Sequence, residues 1–225
     1  MAQSLNGTMT KLPNSPMAPL IQLALDVIDL EDVPALLEKT LSYVDLVEVG
    51  TPMIKRYGID AVRQARALSP NKRIVADLKT MDAGAWEAAL AFDAGADVMT
   101  VLACASDATI NAALGVARAR GRQVVADLIG VLDKPARAVQ LAALGVDYIG
   151  VHTSTDDQAH GANPLADLAA VAQVVDTPLV VAGGISLHTV GPILAYRPKI
   201  VIVGSAVTTA ADPGAILREL RRLVD

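Results

Sequence analysis

Six charged side chains lie at or directly after short apolar runs of the sequence. They are five carboxylates and one lysine: Asp26, Glu48, Asp77, Asp82, Asp127 and Lys79. Charged residues are rarely buried without partners, and carboxylates gathered in one place repel each other by several kcal/mol unless cations balance them. Any one of these carboxylates is equally consistent with a helix cap. Together they predict one polar site in which Lys79 and a divalent metal ion offset the negative charge.

Glu48 and Asp77 are the predicted ligands of that metal ion. Both offer hard carboxylate oxygens, and they belong to consecutive apolar runs of the chain. Mg²⁺ prefers oxygen ligands and keeps several coordination positions for water or substrate oxygens. We therefore expect Mg²⁺, with Mn²⁺ as the other candidate cofactor.

Two glycine-containing pairs later in the chain predict a phosphate site. Gly183-Gly184 and Gly204-Ser205 each lie between a predicted strand and a predicted helix. Backbone N–H groups approach a phosphate closely where no Cβ intervenes. No arginine is adjacent to either pair, so the backbone amides would supply most of the binding. The alternative is that these glycines only form tight turns.

His152 is the predicted proton-transfer group. It is one of three histidines and ends an apolar run, and an imidazole exchanges a proton readily near neutral pH. The alternative is a hydrogen-bonded histidine of the core. His160 falls in the polar loop 154–163, which is a candidate lid over the site, and His188 is expected at the surface.

Eight short runs rich in valine and isoleucine alternate with segments of helical periodicity, which predicts an α/β fold with a parallel sheet. The predicted strands are 20–26, 45–49, 73–78, 97–102, 123–128, 147–152, 178–182 and 199–203. The predicted helices are 30–41, 51–68, 83–94, 105–120, 133–144, 164–175, 187–195 and 213–224.

Eight strand–helix units predict a single-domain (β/α)8 TIM barrel over residues 19–225, with its active site at the carboxyl ends of the strands. An open doubly wound sheet is the alternative, but the first strand is not followed by the glycine-rich turn typical of that fold. Residues 1–18 lack the apolar segment of a secretory signal. We expect them to form a disordered leader or to be a remnant of cloning.

Composition and charge exclude several classes of protein. The chain has 225 residues, 52% of them hydrophobic but only 3% aromatic, and a net charge of −5. Without a basic cluster, a nucleic-acid partner is not expected, and the apolar runs are too short to span a membrane. The single cysteine, Cys104, excludes disulfides and zinc ribbons within the chain. These features favour a cytoplasmic enzyme.

The motif Asp-Leu-Lys-Thr-Met-Asp at 77–82 has the form D-x-K-x-x-D. It resembles the signature of the orotidine 5′-monophosphate decarboxylase superfamily, and the chain is most similar to the 3-hexulose-6-phosphate synthase family within it. The similarity covers residues 20–224 and runs through LALD at 23–26, VEVGTP at 47–52, AGADVMTVL at 94–102, VVADLIGV at 124–131, GVDYIGVHT at 145–153, VAGGI at 181–185 and IVGSAVTTAADP at 202–213.

The resemblance implies a Mg²⁺-dependent aldol condensation of D-ribulose 5-phosphate with formaldehyde to D-arabino-3-hexulose 6-phosphate, through a 1,2-enediolate. It implies His152 as the base at C1, and Lys79 as a second positive charge and proton donor. Asp26 and Asp127 would hold Lys79 or substrate hydroxyls, and the phosphate would lie at Gly183, Gly184, Gly204 and Ser205. It also implies a homodimer in which Asp82 reaches into the partner's site.

Three alternatives remain. The related 3-keto-L-gulonate 6-phosphate decarboxylases share the motif, but they carry an arginine where this chain has Thr155 and VTGG where it has VAGG at 181–184. Orotidine monophosphate decarboxylase needs no metal and has a phosphate-binding arginine at the position of Ser205. Position 205 also differs from the synthases, which usually have glycine there. The Cβ of Ser205 is expected to narrow the phosphate pocket. A catalytically inactive phosphosugar-binding barrel is opposed by the presence of Glu48 and Lys79.

Overall fold

The chain folds into a closed barrel of eight parallel strands, as seen in a computed structural model that describes residues 18–26 and 29–225. The strands are β1 (Leu20–Leu25), β2 (Leu46–Val49), β3 (Arg73–Thr80), β4 (Val98–Leu102), β5 (Gln123–Asp127), β6 (Tyr148–His152), β7 (Leu179–Ala182) and β8 (Ile200–Val203). Each strand pairs with the next along the chain, and β8 closes the barrel by pairing with β1. The predicted single-domain (β/α)8 barrel is confirmed.

Helices follow the strands and surround the barrel. Within the described residues they are α1 (Val33–Thr40), α2 (Thr51–Tyr57), α3 (Asp60–Leu68), α4 (Gly84–Asp93), α5 (Asp107–Ala119), α6 (Lys134–Leu144), α7 (Thr155–Gln158), α8 (Leu165–Ala172), α9 (Val190–Leu194), α10 (Ser205–Thr208) and α11 (Pro213–Val224). None of these helices combines the length and the apolar character that a membrane crossing requires.

The helices differ from the sequence prediction in three places. The predicted helix 51–68 is two helices, because Gly58 takes a left-handed conformation (φ 70°) between α2 and α3. A short helix, α7, forms inside the loop predicted at 154–163. Another short helix, α10, begins directly after β8. The predicted leader lies outside the described residues, except for residue 18.

The barrel interior is layered, and its layers explain where the polar site lies. Seven buried apolar side chains fill the part of the interior nearer the amino-terminal ends of the strands: Leu46, Val75, Val98, Val125, Tyr148, Val180 and Ile200. Successive side chains of a strand point to opposite faces, so the residue two positions later also points inward. On β2 to β5 those residues are Glu48, Asp77, Thr100 and Asp127, all buried. The apolar layer is therefore the floor beneath a polar layer at the carboxyl ends of the strands.

Three aspartates tie pairs of strands together at the opposite, amino-terminal end of the barrel. Asp45, Asp97 and Asp147 each precede an even-numbered strand. Their carboxylates accept backbone N–H groups of the preceding odd strands, from Ile21 at 2.8 Å, Ile74 at 2.9 Å and Val124 at 2.9 Å. Buried N–H groups need an acceptor, so these aspartates satisfy donors that the sheet leaves free.

We predict that Asp147→Ala lowers the free energy of unfolding by about 1–3 kcal/mol, because the N–H of Val124 would lose its acceptor. Urea unfolding followed by circular dichroism measures the change. Asp176→Ala, at an exposed position, is the matched control and should change stability by less than about 0.5 kcal/mol. Equal stabilities of the two variants would contradict this role of Asp147.

Candidate active site

Asp77 is the most heavily hydrogen-bonded carboxylate of the polar layer. Its Oδ1 accepts the hydroxyl of Thr100 at 2.6 Å, and its Oδ2 lies 2.5 Å from Lys79 Nζ and 2.9 Å from Thr51 Oγ1. Thr100 also accepts the backbone N–H of Lys79 at 3.0 Å. These contacts from β3, β4 and α2 fix both oxygens of a buried carboxylate.

Lys79 lies where β3 departs from regular pairing. The register between β3 and β4 shifts between Ala76 and Thr80, and Lys79 adopts a left-handed conformation with φ 47°. Such a backbone is unfavourable for a residue with a side chain and is held in place by its surroundings. The bulge directs the ammonium group to Asp77 and to within 3.7 Å of Asp127 Oδ2. Burial alone would lower the pKa of Lys79, but Asp77 and Asp127 raise it above its usual value, so Lys79 carries a positive charge.

His152 and Asp127 form the next pair across the mouth. His152 Nδ1 lies 2.9 Å from Asp127 Oδ2, and Asp127 Oδ1 accepts the backbone N–H of Ile129 at 2.9 Å. Burial alone would raise the pKa of Asp127, but its hydrogen bond with His152 and the nearby charges lower it below its usual value. An ionised Asp127 requires the proton of a neutral His152 on Nδ1, which leaves Nε2 as the free acceptor.

Glu48 and Asp26 carry negative charge that Lys79 only partly offsets. Burial, followed by the charges of Asp77 and Asp26, raises the pKa of Glu48 well above its usual value, although Gln22 Nε2 donates to Glu48 Oε2 at 2.8 Å. Burial and the charge of Asp77 likewise raise the pKa of Asp26. Both shifts arise first from burial and then from repulsion between carboxylates in a confined space.

This donor set fits Mg²⁺ bound by two carboxylates. Across residues 18–26 and 29–225, no group of three or more histidine, cysteine, aspartate or glutamate side chains is arranged to hold a metal ion. Mg²⁺ does not need such a group, because it commonly takes one or two carboxylates and completes its shell with water and substrate oxygens. Glu48 and Asp77 offer those carboxylates, and a cation between them would relieve the charge excess.

The carboxylate of Asp26 packs against two glycines, whose lack of a side chain leaves room for it. A Cβ on Gly50 would lie 2.0 Å from Asp26 Oδ1, and a Cβ on Gly204 would lie 3.2 Å from Asp26 Oδ2. A side chain at position 50 would therefore displace the carboxylate. Asp26 lies between the ends of β2 and β8, next to the pair Gly204-Ser205 that was predicted to bind phosphate.

The other predicted phosphate-binding pair follows β7. Gly183 and Gly184 have φ values of 103° and 68°, a region that favours glycine. A Cβ on Gly183 would lie 2.4 Å from the carbonyl oxygen of Thr153, so this turn also requires glycine for close packing against the end of β6. Gly204 is the residue before α10, and Ser205 is its first residue.

Three residues of the sequence prediction lie away from this cluster. Asp82 is exposed, and its Oδ1 accepts the N–H of Ala83 in its own chain at 2.7 Å. His160 and His188 are also exposed. The structure therefore brings together Asp26, Glu48, Asp77, Lys79, Asp127 and His152, and leaves Asp82 outside the group formed by a single chain.

Three polar residues of the site have no role in the sequence prediction. Gln22 and Thr51 bind Glu48 and Asp77, and Thr100 binds both Asp77 and Lys79. Gln22 carries a signal that was available in the sequence, since it is an amide inside an apolar strand, four positions before Asp26 and therefore on the same face. The threonines carry no such signal, because threonine is common in strands and at helix starts.

We predict opposite effects of two substitutions on stability in metal-free buffer. The raised pKa of Asp26 means that its ionised form opposes folding, so Asp26→Asn should raise the unfolding free energy at pH 8. The gain should shrink as the pH falls and disappear below about pH 3, where Asp26 is protonated in both the folded and the unfolded state. The lowered pKa of Asp127 means that its ionised form stabilises the fold above about pH 4, so Asp127→Asn should lower stability at both pH 8 and pH 5.

Urea unfolding at pH 8 and pH 5 measures both effects, with Asp176→Asn as the exposed control. A loss of stability at pH 8 in Asp26→Asn would contradict the charge excess inferred for this layer.

Comparison with known proteins assigns the chain to a known family. Residues 19–220 match the model of the orotidine 5′-phosphate decarboxylase / HUMPS family. The chain is 43% identical to a 3-hexulose-6-phosphate synthase of Methylomonas aminofaciens over 205 residues, which are 91% of this chain and 98% of that protein.

Solved structures agree with the sequence match. The crystal structure of 3-hexulose-6-phosphate synthase from Salmonella typhimurium superimposes with a TM-score of 0.89 at 42% identity, covering 91% of this chain and 98% of the other. The 3-keto-L-gulonate-6-phosphate decarboxylase of Vibrio cholerae gives a TM-score of 0.82 at 32% identity, covering 92% and 98%. The barrel and the matched family model together show that the chain belongs to the orotidine 5′-phosphate decarboxylase / HUMPS family.

Proposed function

We propose that this chain is a 3-hexulose-6-phosphate synthase. In this reaction, C1 of D-ribulose 5-phosphate loses a proton, the resulting enediolate attacks the carbon of formaldehyde, and the new alkoxide takes up a proton. The product is D-arabino-3-hexulose 6-phosphate. The observation that carries the proposal is the linked group Asp77–Lys79–Asp127–His152 at the barrel mouth, in a chain 43% identical to a protein with that name.

His152 would remove the proton from C1. Asp127 orients the imidazole through Nδ1 and stabilises the positive charge that develops when Nε2 accepts the proton. Asp127 is itself held by the N–H of Ile129, so the base does not need to reorient during the reaction. The imidazolium then releases this proton through solvent to replace the one that Lys79 gives to the new alkoxide, so both groups return to their starting states.

Lys79 would stabilise the negative charge of the enediolate and donate a proton to the new alkoxide. Its ammonium group is fixed by Asp77 and by the strained backbone of the β3 bulge, so the charge is already in place before the reaction begins. Glu48 and Asp77 would hold Mg²⁺, which supplies further positive charge for the substrate oxygens.

The two glycine turns would bind the phosphate. Gly183 and Gly184 present backbone N–H groups without side chains at the end of β7, and Gly204 with the backbone of Ser205 presents N–H groups after β8. In (β/α)8 barrels the loops after these two strands commonly bind phosphate. Asp26, next to Gly204, would bind a sugar hydroxyl.

We further propose a homodimer in which Asp82 completes the partner's site. Asp82 is exposed, and its Oδ1 accepts the N–H of Ala83 in its own chain. It is flanked by exposed apolar side chains, with Met81 54%, Trp86 80% and Leu90 53% exposed. Exposed apolar side chains concentrated in one region are typical of protein–protein contacts, and a second copy placed there would bring Asp82 to another mouth.

The decarboxylase that acts on 3-keto-L-gulonate 6-phosphate is the main competing activity. This chain has Thr155, at the first position of α7, where the decarboxylases carry an arginine. An arginine in that place would add a positive charge three residues after His152, and threonine does not. The position therefore favours the synthase.

Substrate assays separate the two activities. Purified protein is incubated with Mg²⁺ and ribulose 5-phosphate, with and without formaldehyde, and formaldehyde loss is followed. A parallel reaction offers 3-keto-L-gulonate 6-phosphate and follows CO₂ release. The proposal requires formaldehyde loss that depends on both Mg²⁺ and the sugar phosphate. Rapid CO₂ release without formaldehyde fixation would instead assign the chain to the decarboxylases.

We predict that Lys79→Ala lowers kcat by at least about 10³-fold while the fold remains intact, because the substituted chain loses the fixed charge of the site. Asp156→Asn is the control, since Asp156 is exposed on α7 and should leave kcat unchanged. Circular dichroism and urea unfolding confirm folding. An active Lys79→Ala enzyme would contradict the proposed chemistry.

We predict that two inactive variants regain activity when they are mixed. Lys79→Ala and Asp82→Ala homodimers should both be inactive, but a mixed dimer would contain one site with an intact Lys79 and an intact Asp82. Unfolding and refolding an equimolar mixture should restore roughly a quarter of wild-type activity, since half of the dimers are mixed and each has one good site. Inactivity of the refolded mixture, with wild-type protein refolding normally, would rule out the shared site.

A further inference from the structure

Gln158 connects two parts of the barrel mouth in a way that the proposed chemistry does not use. Its Nε2 donates to the carbonyl oxygen of Thr153 at 2.9 Å. Its Oε1 lies 3.2 Å from the position that a Cβ on Gly184 would occupy. We call this placement of one side chain, bonded to Thr153 O and next to Gly184, the Gln158 bridge, which spans from the end of β6 to the turn after β7.

The bridge attaches a short helix to the barrel. Helix α7 has four residues, and a single helical turn is unstable by itself. Ser154 caps the turn by accepting the N–H of Asp157 at 3.0 Å. Thr155, Asp156 and Asp157 are exposed, whereas Gln158 is partly buried. Among the four residues of α7, Gln158 is therefore the one that packs against the barrel.

The carbonyl oxygen of Thr153 accepts the hydrogen bond from Gln158 and also lies close to the turn at Gly183. A Cβ on Gly183 would lie 2.4 Å from Thr153 O, and the N–H of Thr153 donates to Ala182 O at 3.2 Å. Thr153 is thus fixed against the end of β7 on one side and against Gln158 on the other. A shift of Gln158 would affect both glycines, since its Oε1 lies on the side of Gly184 where a Cβ would project, and its Nε2 holds the Thr153 carbonyl group that lies close to Gly183.

We propose that Gln158 is a positioning residue for the phosphate group of the substrate. It keeps α7 over the turn at Gly183 and Gly184, and so fixes the direction of the backbone N–H groups that bind the phosphate oxygens. The inference rests on the proposed phosphate site and extends it by naming the side chain that keeps it in shape. Loss of the bridge weakens phosphate binding, while the proton transfers at C1 remain intact because His152 is oriented by Asp127.

Two substitutions test the bridge. Gln158→Met keeps the length of the side chain but removes the donor to Thr153 O, and Gln158→Glu also places a negative charge beside the phosphate. Asp156→Asn, on the same helix, is the matched control. Calorimetry with inorganic phosphate gives Kd, and steady-state kinetics give KM for ribulose 5-phosphate and kcat.

We expect Kd for phosphate and KM for ribulose 5-phosphate to rise together, about fivefold in Gln158→Met and at least twentyfold in Gln158→Glu. The kcat of Gln158→Met should stay within twofold of wild type, and Asp156→Asn should match wild type throughout. Unfolding curves confirm that each variant is folded. Phosphate effects without any synthase activity would support the bridge while refuting the proposed reaction.

Two results would overturn the inference. One is wild-type affinity for phosphate in Gln158→Met and Gln158→Glu. The other is a fall in kcat with unchanged Kd for phosphate, because that pattern would place the effect of Gln158 on His152 and not on the phosphate.

Discussion

Charge balance in the polar layer above the barrel floor is the constraint on which the rest of the site depends. Asp77, Asp127 and Glu48 are buried, and Lys79 contacts the first two of them. One lysine cannot neutralise three carboxylates and Asp26, and the repulsion among them adds to burial in raising the pKa values of Glu48 and Asp26. An excess of buried negative charge lowers the free energy of unfolding, and a bound cation would raise it again.

The barrel makes such a site possible because it separates the site from the core. The apolar layer beneath gives the strands a rigid interior, and the aspartates at the amino-terminal end satisfy backbone donors there. At the other end, the β3 bulge aims Lys79, and glycines at 50, 183 and 204 leave room for a carboxylate or a neighbouring backbone carbonyl. Stability and chemistry therefore occupy opposite ends of the same strands.

The strands and most charged residues of the site could be predicted from the sequence, because buried parallel strands are apolar runs and the acids stand out at their ends. The finer geometry could not. The register shift between Ala76 and Thr80 and the left-handed Lys79 depend on contacts with β4. The role of Thr51 depends on how α2 packs against β3, and that of Gln158 on a short helix which local sequence alone would not stabilise.

Calorimetric titration of metal-free protein with Mg²⁺ measures whether the carboxylate excess creates a metal site at Glu48 and Asp77. The account predicts one Mg²⁺ per chain in wild type and in the control Glu38→Gln, where Glu38 is exposed. It predicts that Glu48→Gln loses this binding while remaining folded. Equal binding by Glu48→Gln and wild type would contradict the account, since the charge of the polar layer would then be balanced in some other way.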